Sequence, residues 1–271
     1  MLDAISKPGL VNWHVNQTVA FACANIDALL SRTEEQGMRY LQWYSRRLTP
    51  EKMDEVSIYD YSMGVLDDLS ETGNFIHSYT EDHRNGLFPE EPDPNREDLW
   101  QMIEAFHIWE SEHTFTVTAT EATLFGDGYA GTADWFGELD GVPTLGDDKT
   151  SRTVYESHEA QLAALGSCHT WAKEVPEGTE GAVYYKLTPS VSKHHGGQVD
   201  SWWIEAPVPA FSQYGVLQIR PDDYDKDGNF LPAFAEFDEI GYDLIDAGYD
   251  LFRAALGVRH AQKKRKIALK N

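Results

Sequence analysis

The sequence predicts one domain of the α/β or α+β class whose N-terminal part is mainly helical. Before residue 112, apolar side chains recur near the spacing of amphipathic helices. From residue 114 the pattern changes to alternating, β-branched runs separated by turn residues. A further helix, a second pair of strands and a last helix follow, which is the order expected of a mixed α and β domain.

The N-terminal part predicts four helices. We expect them at about residues 13–31, 33–47, 70–85 and 96–111. Gly86 directly follows the third, and glycine commonly ends a helix. The run PEEPDP at residues 89–94 is expected to be a surface loop.

The later part predicts a β-meander followed by mixed elements. Strands are expected at residues 114–120, 123–125, 128–138 and 142–150, and Asp140-Gly141 between the last two is a strong hairpin signal. We then expect a helix at 157–173, an irregular insertion at 174–209, a second hairpin at 214–220 and 229–234, and a closing helix at 236–256. The predicted domain covers residues 1–258, divided into a helical part (1–112) and a β-rich part (113–258), with a basic tail at 259–271.

Composition narrows the function classes. The 271 residues are 41% hydrophobic and 25% charged, which is typical of a globular protein without membrane spans. The two cysteines, Cys23 and Cys168, lack the spacing of a disulfide framework, a cysteine-ligated zinc site or an iron–sulfur cluster. Because neither a secretory signal nor an 18-residue apolar run is present, we expect a cytoplasmic setting and no membrane partner. The net charge of −23 opposes unaided DNA binding, although the tail carries six Lys/Arg and no acid.

Two acids and a lysine are brought together by the predicted hairpin. On a strand, alternate side chains share a face, so Asp147 and Lys149 project together while Asp148 points away. The turn places the strand that carries Asp134 beside them. Asp134, Asp147 and the backbone carbonyl of Asp148 would suit Mg²⁺, and Lys149 would orient a water or stabilise phosphate oxygens. Spacing alone leaves open a plain surface hairpin with acids and a lysine exposed to water.

Residues 131–165 resemble the core of RecB/Cas4-type PD-(D/E)XK nucleases; their sequence is GTADWFGELDGVPTLGDDKTSRTVYESHEAQLAAL. In that family a G-x-x-D strand is followed by a (D/E)-x-K strand and then by a helix that carries a Gln. Upstream, Gly73 to Glu81 (GNFIHSYTE) resembles the family's helix with a His after a Gly. The start, KPGLVNWHVNQTVAFA, is similar to stand-alone Cas4-like exonucleases of actinobacterial phages. The resemblance implies a restriction-endonuclease-like core, with a mixed central sheet flanked by helices.

Position by position, the resemblance implies roles for five residues: His77 as metal histidine, Asp134 and Asp147 as metal carboxylates, Lys149 as catalytic lysine, and Gln161 as the glutamine bordering the site. Two further acids, Glu81 and Glu121, are candidates for supporting positions. The family's tyrosine four residues after the glutamine is Leu165 here, and the four cluster-binding cysteines of true Cas4 proteins are absent.

The expected function is a Mg²⁺- or Mn²⁺-dependent DNA exonuclease without an iron–sulfur cluster, acting in phage recombination or repair. Its expected partners are DNA with free ends and a phage single-strand annealing protein, in the cytoplasm of a bacterial host. A structure-specific endonuclease of the same fold and a non-catalytic acidic DNA mimic are the alternatives. The sequence leaves polarity, strand preference and oligomeric state open.

Four other features have simpler interpretations. Asp223–Gly228 imitates the start of an EF-hand loop, but the twelfth position is Phe234, so an acidic hairpin turn is expected. His194-His195 is expected to be a loop rather than a metal site. Trp202-Trp203 is compatible with burial or with stacking on bases. The basic tail is compatible with phosphate binding or with a solvated end.

Overall fold

A computed structural model gives the structure of residues 18–19, 21, 58–151, 153–186, 200–225 and 227–269, with side chains undescribed at 58–67, 186 and 200. The chain divides into two compact units, Ile5–Asn74 and Phe75–Asn271 with Met1–Ala4. In the first unit, the structure describes Thr18, Val19 and Phe21 before residue 58, and all three are helical. The rest of the helices expected at 13–31 and 33–47, and His194-His195, lie outside the described residues.

Four helices and ten strands are present in the described part of the chain. The helices are α1 (Ile58–Arg84), α2 (Glu97–Glu112), α3 (Glu156–Gly166) and α4 (Tyr242–Ala268). The strands are β1 (Phe115–Gly126), β2 (Tyr129–Leu139), β3 (Val142–Lys149), β4 (Thr170–Val175), β5 (Val183–Lys186), β6 (Asp200–Pro207), β7 (Gln213–Arg220), β8 (Asp223–Tyr224), β9 (Phe230–Leu231) and β10 (Phe234–Glu239).

Eight strands form one mixed sheet in the order β10-β7-β3-β2-β1-β4-β6-β5. Neighbouring strands are antiparallel except β3 and β7, which run parallel. A parallel pair needs a long crossover, and here the chain from α3 through β6 supplies it. The expected mixed sheet with flanking helices is therefore confirmed.

The two faces of the sheet carry separate apolar clusters. Ile76 of α1 and Phe106 of α2 pack with Leu217 on one face. Leu162 of α3 and Ile245 of α4 pack on the other face, in a cluster that includes Val216. Adjacent residues of β7 thus belong to opposite clusters, as the alternation of a strand requires. None of the described helices is both long enough and apolar enough to span a bilayer.

The structure differs from the sequence expectation in the segment 157–209. Helix α3 ends at Gly166, and Thr170–Val175 turns back as β4 beside β1. The expected irregular insertion at 174–209 instead contains β5 and β6, which extend the sheet. Gly and Pro residues lie near these strands in the sequence, so the alternation of a strand is hard to recognise there, and the strands are fixed by pairing with their neighbours in the sheet.

The C-terminal region also differs. Helix α4 begins at Tyr242 and continues to Ala268, through most of the segment expected to be a tail. Lysine, arginine, glutamine and alanine all have high helix propensity, which explains the continuation. Residues 259–268 are exposed along this helix, so the basic run is an exposed extension of α4.

Candidate metal and catalytic site

A tight hairpin aligns the acidic residues of β2 and β3. Asp140 (φ 52°) and Gly141 (φ 81°) both have positive φ, as a type I′ turn needs. The register pairs Leu139 with Val142 and Trp135 with Gly146. Continuing this register by one residue sets Asp134 opposite Asp147.

Lysine 149 connects the two acids. Its Nζ lies 2.5 Å from Asp147 Oδ2 and 3.8 Å from Asp134 Oδ2. Gln161, from α3, donates its Nε2 hydrogen to Asp147 Oδ1 at 3.0 Å. The Asp147 side chain is 1% exposed, whereas Lys149 is 21% exposed and so reaches solvent. The strands β2 and β3 and helix α3 thus converge on one buried carboxylate with an accessible ammonium beside it.

Helix α1 adds an imidazole. His77 Nδ1 lies 3.3 Å from Asp134 Oδ2. The ligand atoms of His77, Asp134 and Glu121 all lie within 4.8 Å of one another. Two carboxylates and an imidazole are a donor set that suits divalent cations such as Mn²⁺ and, through the oxygens, Mg²⁺. Asp147 Oδ2 is buried and, beyond the ion pair with Lys149, has no hydrogen-bond partner in the described chain, which also fits a nearby cation.

Glu121 holds an uncommon backbone conformation. Its φ is 47°, in the left-handed region that residues other than Gly rarely occupy. Its place in the β1–β2 register is opposite Asp134, between Thr120, which pairs with Trp135, and Ala122, which pairs with Ala133. Such strain persists only where surrounding structure imposes it, and it is often found at functional sites.

The electrostatics of the site show crowded negative charge. Burial, followed by the negative charge of Asp134, raises the pKa of Asp147 well above its ordinary value. Burial opposes a charged Lys149, but the negative charges of Asp147 and Asp134 outweigh it and raise the Lys149 pKa. Partial burial and then the charges of Asp134 and Glu81 raise the pKa of Glu121 to about 7. Because the Glu121 residue is exposed overall, solvent screens part of this effect.

Asp148 is directed away from this cluster and forms a buried network. Arg84 Nη1 lies 2.5 Å from Asp148 Oδ2, and both side chains are 1% exposed. Thr80 Oγ1 and Trp135 Nε1 also donate to the Asp148 carboxylate, each at 2.8 Å. Burial would raise the Asp148 pKa, but the guanidinium outweighs it and the pKa is lowered.

The backbone of Asp148 also faces the site. Its N–H donates to Asp134 Oδ2 at 2.8 Å, and its carbonyl oxygen accepts from Lys149 Nζ at 3.1 Å. The carbonyl that the sequence offered as a metal ligand is therefore a partner of the lysine. The side-chain network of Asp148 was missed by the sequence reasoning. The sequence pattern that indicates this network is the spacing of His77, Thr80 and Arg84, which places the three side chains on one face of α1.

Glu81 lies at the margin of the site. Its Oε1 is 3.7 Å from Lys173 Nζ and 3.5 Å from Thr120 Oγ1. Lys173 also donates to Thr120 at 2.8 Å. This lysine, on β4, brings a second cation near the acids, and the sequence analysis missed it because it placed residue 173 at the end of a helix.

Two of the other motifs lie in the described chain. Asp225 Oδ1 accepts the backbone N–H groups of Asp227 and Asn229 in the turn between β8 and β9, so the acidic hairpin turn is confirmed. Trp202 and Trp203 lie in β6 and are half-buried. Trp203 Nε1 donates to Ser201 Oγ at 2.6 Å.

Comparison with profiles of known protein families gives no match. A search among curated proteins also finds none. The functional interpretation therefore rests on the site itself, where residues from α1, β1, β2, β3 and α3 bring three carboxylates, an imidazole, an amide and an ammonium together.

Proposed function

We propose that this chain is a Mg²⁺- or Mn²⁺-dependent deoxyribonuclease of the PD-(D/E)XK type, with a restriction-endonuclease-like core. The observation that supports it most is the position of Lys149, whose Nζ contacts Asp147 at 2.5 Å and lies 3.8 Å from Asp134. An ordinary surface hairpin would leave these groups in water, whereas here Asp147 is buried and held by Gln161.

The metal ligands in this proposal are Asp134, Asp147, His77 and Glu121. When bound, a divalent cation would acidify a water and neutralise negative charge on the scissile phosphate. The cluster fits this role because burial, followed by the charge of the neighbouring carboxylates, raises the pKa values of Asp147 and Glu121, and a bound cation would favour their charged forms.

The protein's own groups supply positioning and electrostatics. Lys149 keeps its proton because two carboxylates stabilise the charge, and it presents an N–H to the phosphate oxygens that gain charge during the reaction. Gln161 holds Asp147 in one orientation by its hydrogen bond. Arg84 anchors Asp148 from the other face of the sheet and so fixes the strand segment that carries both Asp147 and Lys149.

The reaction is hydrolysis of a phosphodiester bond. The oxygen of a water bonds to phosphorus while one proton of that water passes to solvent. The bond from phosphorus to a sugar oxygen breaks, and the released sugar oxygen takes up a proton from solvent. The net charge of −23 requires a local attraction for DNA. The exposed end of α4 offers one, because Arg259, Lys263, Lys264, Arg265 and Lys266 lie on it.

The test compares wild-type protein with Asp147→Asn on end-labelled duplex DNA, in Mg²⁺, in Mn²⁺ and in EDTA. Asp127→Asn is the matched control, because Asp127 is 96% exposed and contacts only His169 within the described ion pairs. We expect cleavage by the wild type and the control with metal, and a loss of at least about 100-fold on Asp147→Asn or with EDTA. Equal cleavage by Asp147→Asn and wild type would refute the site assignment.

The substrate form separates the remaining alternatives. An exonuclease in phage recombination or repair should degrade linear DNA and leave covalently closed circles intact. Cutting of closed circles would favour the structure-specific endonuclease. If wild-type protein with Mn²⁺ leaves every DNA substrate whole, the non-catalytic acidic mimic, which the charge of −23 favours, replaces the nuclease proposal.

A further inference from the structure

A second group of imidazole and carboxylate side chains lies where α1 packs against α2. His83 comes from α1, and His107 and Glu110 come from α2. Their ligand atoms all lie within 4.8 Å of one another. His83 Nε2 is 2.6 Å from Glu110 Oε2, and His107 Nδ1 is 3.7 Å from the same oxygen. His77 and His83 are six residues apart on α1, or about 9 Å along its axis, and face different directions, so this cluster is separate from the site described above.

We infer that His83, His107 and Glu110 form a binding site for a transition-metal dication, Zn²⁺ being the natural occupant. Two imidazoles and one carboxylate favour zinc and its neighbours over magnesium, which prefers oxygen ligands alone. Zn–N and Zn–O bonds are about 2.0–2.2 Å, so ligand atoms around a tetrahedral ion lie about 3.2–3.5 Å apart. The contact between His107 and Glu110 is near this value, and the one between His83 and Glu110 needs a small opening.

The hydrogen bonds around the cluster prepare His107 for this role. Its Nε2 lies 2.9 Å from Tyr79 Oη, one turn before His83 on α1. A metal-binding histidine usually directs its other ring nitrogen to such a partner, which fixes the tautomer and the ring orientation. With Nε2 carrying the hydrogen that Tyr79 accepts, Nδ1 is left with a free lone pair directed at Glu110.

The surroundings leave room for an ion and its water ligands. The side chains of His83, His107 and Glu110 are 33%, 39% and 27% exposed. His107 also lines an open surface pocket on α2, together with Trp100 and Glu104. The ring of Phe106 packs edge-on against His83, with centroids 5.7 Å apart, and limits its movement. The ion would replace the proton on His83 Nε2, which passes to solvent, and would join α1 to α2 in addition to their apolar packing and the hydrogen bond between Tyr79 and His107.

The experiment is metal titration of tag-free, EDTA-treated protein. Zn²⁺ binding is measured by competition with a chromophoric chelator, and Co²⁺ by its visible absorption, in wild type, His83→Gln, His107→Gln and Glu110→Gln. His113→Gln is the matched control, because His113 Nδ1 also meets a carboxylate, Asp140, at 2.7 Å but has no third ligand within the described chain.

We expect the three ligand variants to lose one Zn²⁺ equivalent and the Co²⁺ spectrum of a nitrogen-containing site. His113→Gln should bind like wild type, and so should Asp134→Asn for this equivalent, because it alters only the other site. Tyr79→Phe should weaken Zn²⁺ binding about tenfold while keeping the site. Unchanged stoichiometry in His83→Gln and His107→Gln, or no Zn²⁺ bound by wild type, would show that the cluster is only a hydrogen-bonded contact.

A wild-type readout covers the case of a variant that fails to fold. Far-UV circular dichroism in EDTA identifies such a variant. Imidazole NMR signals of wild-type protein are then followed during Zn²⁺ addition. The inference requires the rings of His83 and His107 to shift together at one equivalent, and a shift confined to other histidines overturns it. Zinc binding here stands independently of nuclease activity.

Discussion

The buried ion pair between Arg84 and Asp148 makes the strongest stability prediction. Arg84→Met keeps the length of the side chain but removes the guanidinium, which donates to both Asp148 oxygens and lies 5.3 Å from the Trp135 ring centroid. Asp148 would keep its bonds from Thr80 and Trp135 and would remain a buried carboxylate without a counter-charge. We expect the free energy of unfolding to fall by about 3–5 kcal/mol, the cost of breaking a buried pair from one side.

The measurement is urea unfolding with linear extrapolation, and a surface pair on α2 provides the comparison. Arg96 and Asp98 also form an ion pair, at 2.7 Å, but are 29% and 38% exposed. Arg96→Met should therefore cost only about 0–1 kcal/mol. If Arg84→Met lowers the free energy of unfolding no more than Arg96→Met does, burial does not make the Arg84–Asp148 pair important for stability.

The same pair predicts a pH dependence. Arg84 lowers the folded-state pKa of Asp148, so the stabilisation is present above the unfolded carboxyl pKa and is lost as pH falls through the lower folded value. The difference in unfolding free energy between wild type and Arg84→Met should therefore be full at pH 7. It should narrow below about pH 4, where the carboxyl takes up protons.

Three further predictions concern the site and the last helix. The pKa of Glu121 is raised to about 7, so its contribution to the stability of the metal-free protein is complete below about pH 4.5 and is lost as the pH rises through 7. In EDTA, the free energy of unfolding of Glu121→Gln should therefore fall less between pH 5 and 8 than that of the wild type. In α4, Gly248→Ala should destabilise by about 1–3 kcal/mol, because a Cβ would lie 2.8 Å from the Glu159 backbone carbon; Gly257→Ala, with nothing within 4 Å, should stabilise by up to about 1 kcal/mol. Lys263→Ala/Lys264→Ala should weaken DNA binding and reduce the magnitude of its salt slope by about 1–2.

Each of these has a contradicting outcome. Parallel pH curves for Glu121→Gln and wild type would mean that Glu121 does not titrate near neutrality in the folded state. Equal unfolding midpoints for the two glycine variants would contradict the close approach of α4 to α3. An unchanged salt slope for the lysine variant would place the DNA away from the end of α4.

The hairpin of β2 and β3 could be predicted from sequence because its determinants are local. The β-type composition of residues 128–138 and 142–150 predicts the two strands, and Asp140-Gly141 predicts the turn, so the register that sets Asp134 opposite Asp147 follows without knowledge of the rest of the chain. The grouping of Asp147 with Lys149 depends on the same short stretch, whereas the place of Gln161 beside Asp147 was implied only by the family resemblance.

The parts that sequence reasoning missed depend on distant partners. Arg84 and Asp148 are 64 residues apart, and no local pattern pairs them. Strand β5 pairs with β6, β6 pairs with β4, and β4 pairs with β1. These segments take their conformation from the neighbouring strand, which their own composition, with Gly and Pro nearby, does not reveal.

The parallel pairing of β3 with β7 has a consequence for how the protein is made. Asp147 of β3 pairs with Val216 of β7, so the edge of β3 that faces β7 stays unpaired until the ribosome has released residues 213–220. Until then the nascent chain has an unpaired strand edge next to clustered acids. Repulsion between the acids of two such chains helps to prevent this edge from pairing with another chain. Strand β3 therefore gains its second neighbouring strand late in synthesis, and chains truncated before residue 213 should be more sensitive to protease than the full chain.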